Sequence, residues 1–194
     1  MDIDHVADVI NEKSKDYKVG NLQYFRKEYK DIQHPNTYKL FSKRTIMDDD
    51  PENTYTFHSA GRKEFQVNVG YEKFRNEFRA GFAFSIEPSR SVTDPVSIFK
   101  PRIKIYNNYI EKNLDKFDDL MMFHHDEDYN RSSNYPIEKI EDHLIDRGMF
   151  IFMGTIFKKE ADEFLTEKEY KHILKTLDRL YEIYKYIEKR EYWG

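Results

Sequence analysis

The sequence has no cysteine, which removes disulfides, thiol nucleophiles and cysteine-ligated zinc together and fits a reducing compartment. Glycine is sparse, with 7 residues in 194, and none falls in a phosphate-cradling loop, a GxSxG elbow or a dinucleotide fingerprint; HExxH is also missing. These absences argue against the common nucleotide-dependent enzymes. No stretch reaches the roughly 18 consecutive apolar residues of a membrane helix. The opening MDIDHVADVINEKSKDYK has no basic segment followed by an apolar run. The expectation is a cytoplasmic protein, neither inserted into a membrane nor exported. An excess of one charge is missing too: 32 Lys and Arg stand against 36 Asp and Glu, a formal net charge of -4. No global field draws the chain to DNA or to an anionic surface, so nucleic-acid binding has to come from a local patch.

What is present is aromatic. Fifteen Tyr and 15 Phe supply large buried areas per side chain, enough for one core in a single domain spanning 1–194. Ile3, Val6, Ala7, Val9 and Ile10 recur at helical spacing, with Asp2 or Asp4 able to cap the first turn, and the helix is expected to end before Gly20. Residues 21–53 show no clean period, and DDDPEN at 48–53 reads as a solvated loop. TYTFHS, a turn at Gly61 and Arg62, and KEFQVNVGYE read as a hairpin with one polar face. AGFAFSIE is a further strand, and EKFRNEFR before it fits either a wide connection or a bulged strand. Helical spacing returns from Val96 to Leu114, with Pro101 implying a start near Lys100 or a kink. DLMMFHH fits a strand or a helical turn, and His125 to Asn134 an exposed loop. PIEKIEDHLIDRG predicts a compact helix between Pro136 and Gly148, MFIFMGTIF a buried central strand, and Thr166 with Glu169 a capping box opening a long amphipathic helix. The sum is an α+β fold, a mostly antiparallel sheet with helices on one face and a long helix at the C-terminus.

Polar groups concentrate around the two clearest strands. Arg62, Gln66 and Asn68 on one, and Arg79, Glu87, Ser89 and Arg90 on or beside the other, combine the donors and acceptors that hold phosphates and read base edges. Arg62, Arg79 and Arg90 suit phosphate, with Ser89 and Ser91 flanking Arg90. Gln66, Asn68 and Glu87 suit base edges or an extruded base, for which Tyr71, Phe82 and Trp193 are candidate stacking rings. An ordinary wet sheet face is the bland alternative. A magnesium-dependent nuclease would draw on Glu64, Glu87, Asp94 and Lys63, but Glu64-Phe65-Gln66 lacks the lysine two residues after the acid. His124, His125, Asp126, Glu127 and Asp128 supply metal-ligand types, yet neighbours in one loop seldom converge on one ion; no bound metal is expected. A third possibility is a protein-interaction domain docking through the Tyr-rich C-terminal helix.

The stretches FHSAGRKEFQVNVGYE, FRAGFAFSIEPSRS, FIFMG and YKYIEKR resemble the N-terminal target-recognition module of modification-dependent (type IV-like) restriction proteins. That resemblance, over residues 55–190, implies DNA binding, recognition of a modified base, and cleavage left to a nuclease or nucleotide-hydrolysing domain or subunit. The acidic balance departs from it. Tyr192 and Trp193, directly after the long helix, suggest a module within a larger protein.

Overall fold

The computed structural model describes residues 1–22, 40–41, 63–89 and 92–188, together with the backbone of 43–47 and 50–57. Seven strands form one sheet: β1 Lys43–Met47, β2 Asp50–Phe57, β3 Gln66–Glu72, β4 Glu77–Ser85, β5 Met121–His125, β6 Tyr135–Pro136 and β7 Phe150–Lys158. Their order is β1-β2-β3-β4-β7-β5-β6, and every neighbouring pair is antiparallel. The described residues include the helices α1 Ile3–Lys13, α2 Pro95–Asn113, α3 Asp142–Asp146 and α4 Glu167–Glu188. The fold is α+β. Among the described residues no helix is long and apolar enough to cross a membrane.

Strand alternation decides what each face carries. Val67, Val69 and Tyr71 of β3, Phe78, Phe82 and Phe84 of β4, and Ile151 and Met153 of β7 share one core with Ile10 of α1, Phe99, Ile103 and Tyr106 of α2, and Leu177, Leu180 and Tyr184 of α4. Each fully buried ring or branched side chain in that core contributes about 1.5–3 kcal/mol. Phe65 sits at its centre, 4.5 Å from the Phe84 ring and 5.0 Å from that of Phe82. The opposite face carries a small cluster of Ala83, Phe123, Phe150 and Phe152.

Local signals set most boundaries. The Asp2 carboxylate accepts from the backbone N–H groups of Asp4 and His5 at 3.1 Å, capping α1. Thr166 and Glu169 form the capping box, Thr166 N–H donating to Glu169 at 2.7 Å and Glu169 N–H to Thr166 Oγ1 at 3.3 Å. The apolar run MFIFMGTIF at 149–157 supplies the interior strand β7, flanked by β4 and β5.

Four expectations change. EKFRNEFR is neither a wide connection nor a bulge: Lys73–Arg75 is one 3-10 turn, Asn76 takes a left-handed conformation at φ 49°, and Glu77 already begins β4. The DDDPEN loop is partly strand, because β2 begins at Asp50. Of the two readings of Pro101, the start near Lys100 is excluded: helix α2 begins at Pro95, capped by Asp94, and runs through Pro101 at an exposed interior position. Pro136 does not open a helix. It lies in β6 at the sheet edge, where a missing N–H disturbs no ladder, and α3 is only the five residues ending before Gly148, whose φ of +67° suits glycine.

Gly81 and Gly154 face each other across β4 and β7. A Cβ built on Gly81 would lie 2.0 Å from the Met153 carbonyl oxygen, and one on Gly154 would lie 2.3 Å from that of Ala80. The two central strands pack too closely there for any side chain. Gly81→Ala is expected to cost roughly 1–3 kcal/mol as an overpacking change, read as a lower urea midpoint at unchanged slope.

Candidate functional site: the sheet face opposite α1, α2 and α4

The polar phase of the hairpin faces away from α1, α2 and α4, but it is not wet. Gln66, Asn68, Arg79 and Ser85 are all under 8% exposed. Burying an arginine requires charged partners, and two glutamates at the ends of the hairpin strands supply them. Arg79 donates through Nη1 to Glu72 and through Nε to Asn68 Oδ1 at 3.1 Å. A second guanidinium comes from the loop 126–134. Arg131 lies 3.4 Å from Glu72 and 3.1 Å from Glu77, donates to Asn134 Oδ1 at 2.8 Å, and has its central carbon 3.7 Å from the centroid of the Phe123 ring. Lys158 closes the rim on Glu77 at 3.0 Å. The Glu77 carboxyl is pushed up by burial, but the bond from Lys158 and the charge of Arg131 outweigh this and hold it below its ordinary range. Burial pulls the Arg131 pKa down against the two glutamates.

The aromatic floor is stacked. Phe123 and Phe152 have centroids 5.1 Å apart, and the His125 ring lies 4.6 Å from that of Phe150 at 17°. His125 contacts Asp126 O at 2.8 Å through Nδ1, with Glu87 Oε1 3.5 Å away; Ser85 Oγ donates to Glu87 at 3.2 Å. Desolvation, with Arg79 and Arg131 nearby, lowers the His125 pKa to about 4, so the ring is neutral at pH 7. Beside it, an open cavity of about 310 Å³ is lined by Pro88, Asp126, Glu127, Asp128, Arg147 and Gly148.

Three buried donor atoms in this cluster have no hydrogen-bond partner among the described residues: Asn68 Nδ2, Arg131 Nη1 and Arg131 Nε. Nε faces Glu72 in the ion pair at 3.4 Å, which leaves Asn68 Nδ2 and Arg131 Nη1 without any acceptor among those residues. The orientation of the Asn68 amide follows from its partner. Arg79 is a pure donor, so the oxygen must face it and the NH₂ must face the other way. An unsatisfied buried donor costs about 1–3 kcal/mol, and two in one cluster mark a place where an acceptor is wanted.

The structure gathers Gln66, Asn68, Arg79, Glu87 and Ser85 on this side of the sheet, although Arg79 is buried and ion-paired where an exposed phosphate contact was expected. Ser89 forms a backbone bridge with Val92. Arg62, Arg90, Ser91 and Trp193 lie outside the described residues. Tyr71 and Phe82 are core rings on the helix-covered face, not a stacking platform. Of the nuclease set, Lys63 is exposed, Glu64 is buried, and Asp94 caps α2, accepting from Ser97 N and Oγ at 3.1 and 2.6 Å. No three His, Asp or Glu side chains among the described residues are grouped to hold one metal ion. The run from His124 is not simply a solvated loop: both histidines belong to β5, and Asp126 ties the turn by accepting from Asp128 and Asn130 N–H groups. Glu72, Glu77, Phe123 and Arg131 were not singled out from sequence. The two glutamates do lie on the polar phase of β3 and β4, whereas Arg131 carries no local signal.

Comparison of the chain with protein-family models, curated proteins and solved structures finds no match.

Proposed function

We propose that the chain is a cytoplasmic DNA-recognition module that binds a nucleobase edge on the sheet face opposite α1, α2 and α4 and leaves chemistry to another domain or subunit, as a restriction or defence protein does. The observation that carries this reading is the pair of buried unpartnered donors, Asn68 Nδ2 and Arg131 Nη1, beside the stacked rings of Phe123 and Phe152. A planar ligand with acceptors on its edge satisfies both features, and Arg with Asn is a donor set that reads base edges. Glu72, Glu77 and Glu87 add acceptors for exocyclic amino groups. Because the donors are buried, a base enters only when the loop 126–134, which contributes Arg131, lifts and closes again. Net acidity makes phosphate steering weak, which favours selective binding over tight nonspecific binding.

The test is fluorescence polarisation against short duplexes, unmodified or carrying methylated cytosine, hydroxymethylated cytosine or methylated adenine, at two salt concentrations, with and without magnesium. One duplex is expected to bind preferentially without cleavage. Asn68→Asp, which removes the donor and keeps an oxygen to accept from Arg79 Nε, is expected to weaken that preference by on the order of tenfold while leaving the fold intact. Magnesium-dependent cleavage lost in Glu87→Gln would establish the nuclease instead, and no binding to any duplex would end the DNA reading.

A further inference from the structure

One corner of the molecule presents two phenylalanines to solvent. Phe74, at the tip of the β3–β4 turn, is 89% exposed, and Phe164, in the loop between β7 and α4, is 77% exposed. They belong to one surface, because the two segments are bonded together. Lys159 N–H donates to Asn76 O at 2.8 Å, Asn76 Nδ2 to Glu160 at 2.7 Å, and Lys158 Nζ to the Arg75 carbonyl at 3.1 Å. Tyr71 OH reaches Lys159 O at 3.1 Å, and Lys159 Nζ reaches the Phe164 carbonyl at 3.2 Å. The corner is therefore held in a fixed shape, and docking on it costs little ordering.

Its charges are divided. Phe74 stands between Lys73 and Arg75, whereas Phe164 follows Glu160, Asp162 and Glu163. The acidic half is dense enough that, after burial, these three carboxylates raise the pKa of Tyr71. A phosphate backbone would meet repulsion on that half, and a polyanion-binding site would not carry it. A surface with a basic aromatic tip beside an acidic aromatic loop is complementary to itself.

We propose that this corner is a self-docking surface: in a two-fold dimer the Lys73–Phe74–Arg75 turn of one copy seats against the Glu160–Phe164 loop of the other, and the reverse contact forms at the same time. A two-fold axis requires that reciprocity. Four rings burying ~150–250 Å² each fall below the roughly 1,200–2,000 Å² of stable complexes. The association is accordingly weak and concentration-dependent. It is independent of the DNA reading.

Sedimentation equilibrium of the full chain, from about 1 µM to about 300 µM, tests it. The weight-average mass is expected to rise above the 23.6 kDa of one chain at the upper end, and the double variant Phe74→Ala with Phe164→Ala is expected to stay at that mass. Both positions are exposed, so the fold survives. Arg75→Glu and Asp162→Lys are each expected to abolish association alone, by placing like charges at both reciprocal contacts. An equimolar mixture of the two variants is expected to associate again, because the heterodimer then has opposite charges at both. A wild-type chain monomeric throughout, association unchanged by loss of the two rings, or a mixture no better than its components would each overturn the proposal.

Discussion

Replacing Arg131 by alanine is expected to lower the stability of the protein by about 3–5 kcal/mol, the range for removing one partner of a buried ion pair. In a chain of this length the melting temperature would fall by roughly 10 °C. The magnitude follows from what stays behind. Glu77 is buried and Glu72 largely so, 7% and 12% exposed at the side chain, and Arg131 is the group placed against both. Without it, among the described residues Glu72 retains Arg79 and Arg75, and Glu77 retains the solvent-facing Lys158 as its one cation. The guanidinium also covers the Phe123 ring at 3.7 Å, so packing is lost with the charge. Arg131→Lys is expected to recover only part of the loss, since a point charge cannot span two carboxylates and lie flat on a ring. Adding Glu77→Gln to Arg131→Ala is expected to recover another part by removing the stranded charge. Urea denaturation of the four proteins measures all of this. A loss under about 1 kcal/mol, typical of exposed pairs, would mean that the loop 126–134 holds itself in place without the cluster.

The same residue marks where the sequence stops being legible. Period-two alternation identified β3 and β4 and separated their faces. Helical spacing with Asp2, Thr166 and Glu169 identified α1 and α4, because caps and periodicity are local. Gln66, Asn68 and Arg79 were assigned to one polar face, and they share it. What alternation does not carry is whether that face meets water. The burial of Asn68 and Arg79 depends on partners such as Arg131, 63 residues after Asn68 and 52 after Arg79 in chain numbering, and on Phe123 and Phe152 from strands far away in sequence. The misread segments share a cause. The start of β2 at Asp50 and the strand at Pro136 have turn-like compositions, and pairing with a neighbouring strand overrides weak local preference. Asp94 is a metal-ligand type, but in the fold its carboxylate is taken up by capping α2, accepting from Ser97 three residues later.

The polar sheet face should also make the protein acid-sensitive above the range in which most carboxylates titrate. His125 has an ordinary pKa of 6.5 and is lowered to about 4 in the fold, first by desolvation, then by the charges of Arg79 and Arg131 against the opposing bond to Asp126 O and the charge of Glu72. The sign follows from proton counting. Between pH 6.5 and about 4 the unfolded chain takes up a proton that the folded chain refuses, so the stabilisation is complete above pH 6.5 and is lost as pH falls through that window. A shift of this size corresponds to about 3 kcal/mol. His124 is also lowered, by burial first, and adds to the same slope, whereas Glu77, lowered from 4.5, contributes only at the acid end. Urea midpoints at pH 7, 6, 5 and 4.5 are expected to fall steadily in the wild type. His125→Gln, which keeps a donor for the Asp126 carbonyl, is expected to flatten most of the slope, and His124→Gln a smaller part. A protonated His125 would face two guanidiniums, so the loop carrying Arg131 is the first segment expected to open, seen as early amide exchange at Ser132, whose N–H donates to the His124 carbonyl at 2.9 Å. Stability unchanged down to pH 5 would show that His125 is solvated, and with it that the face proposed to receive a base stands open to water.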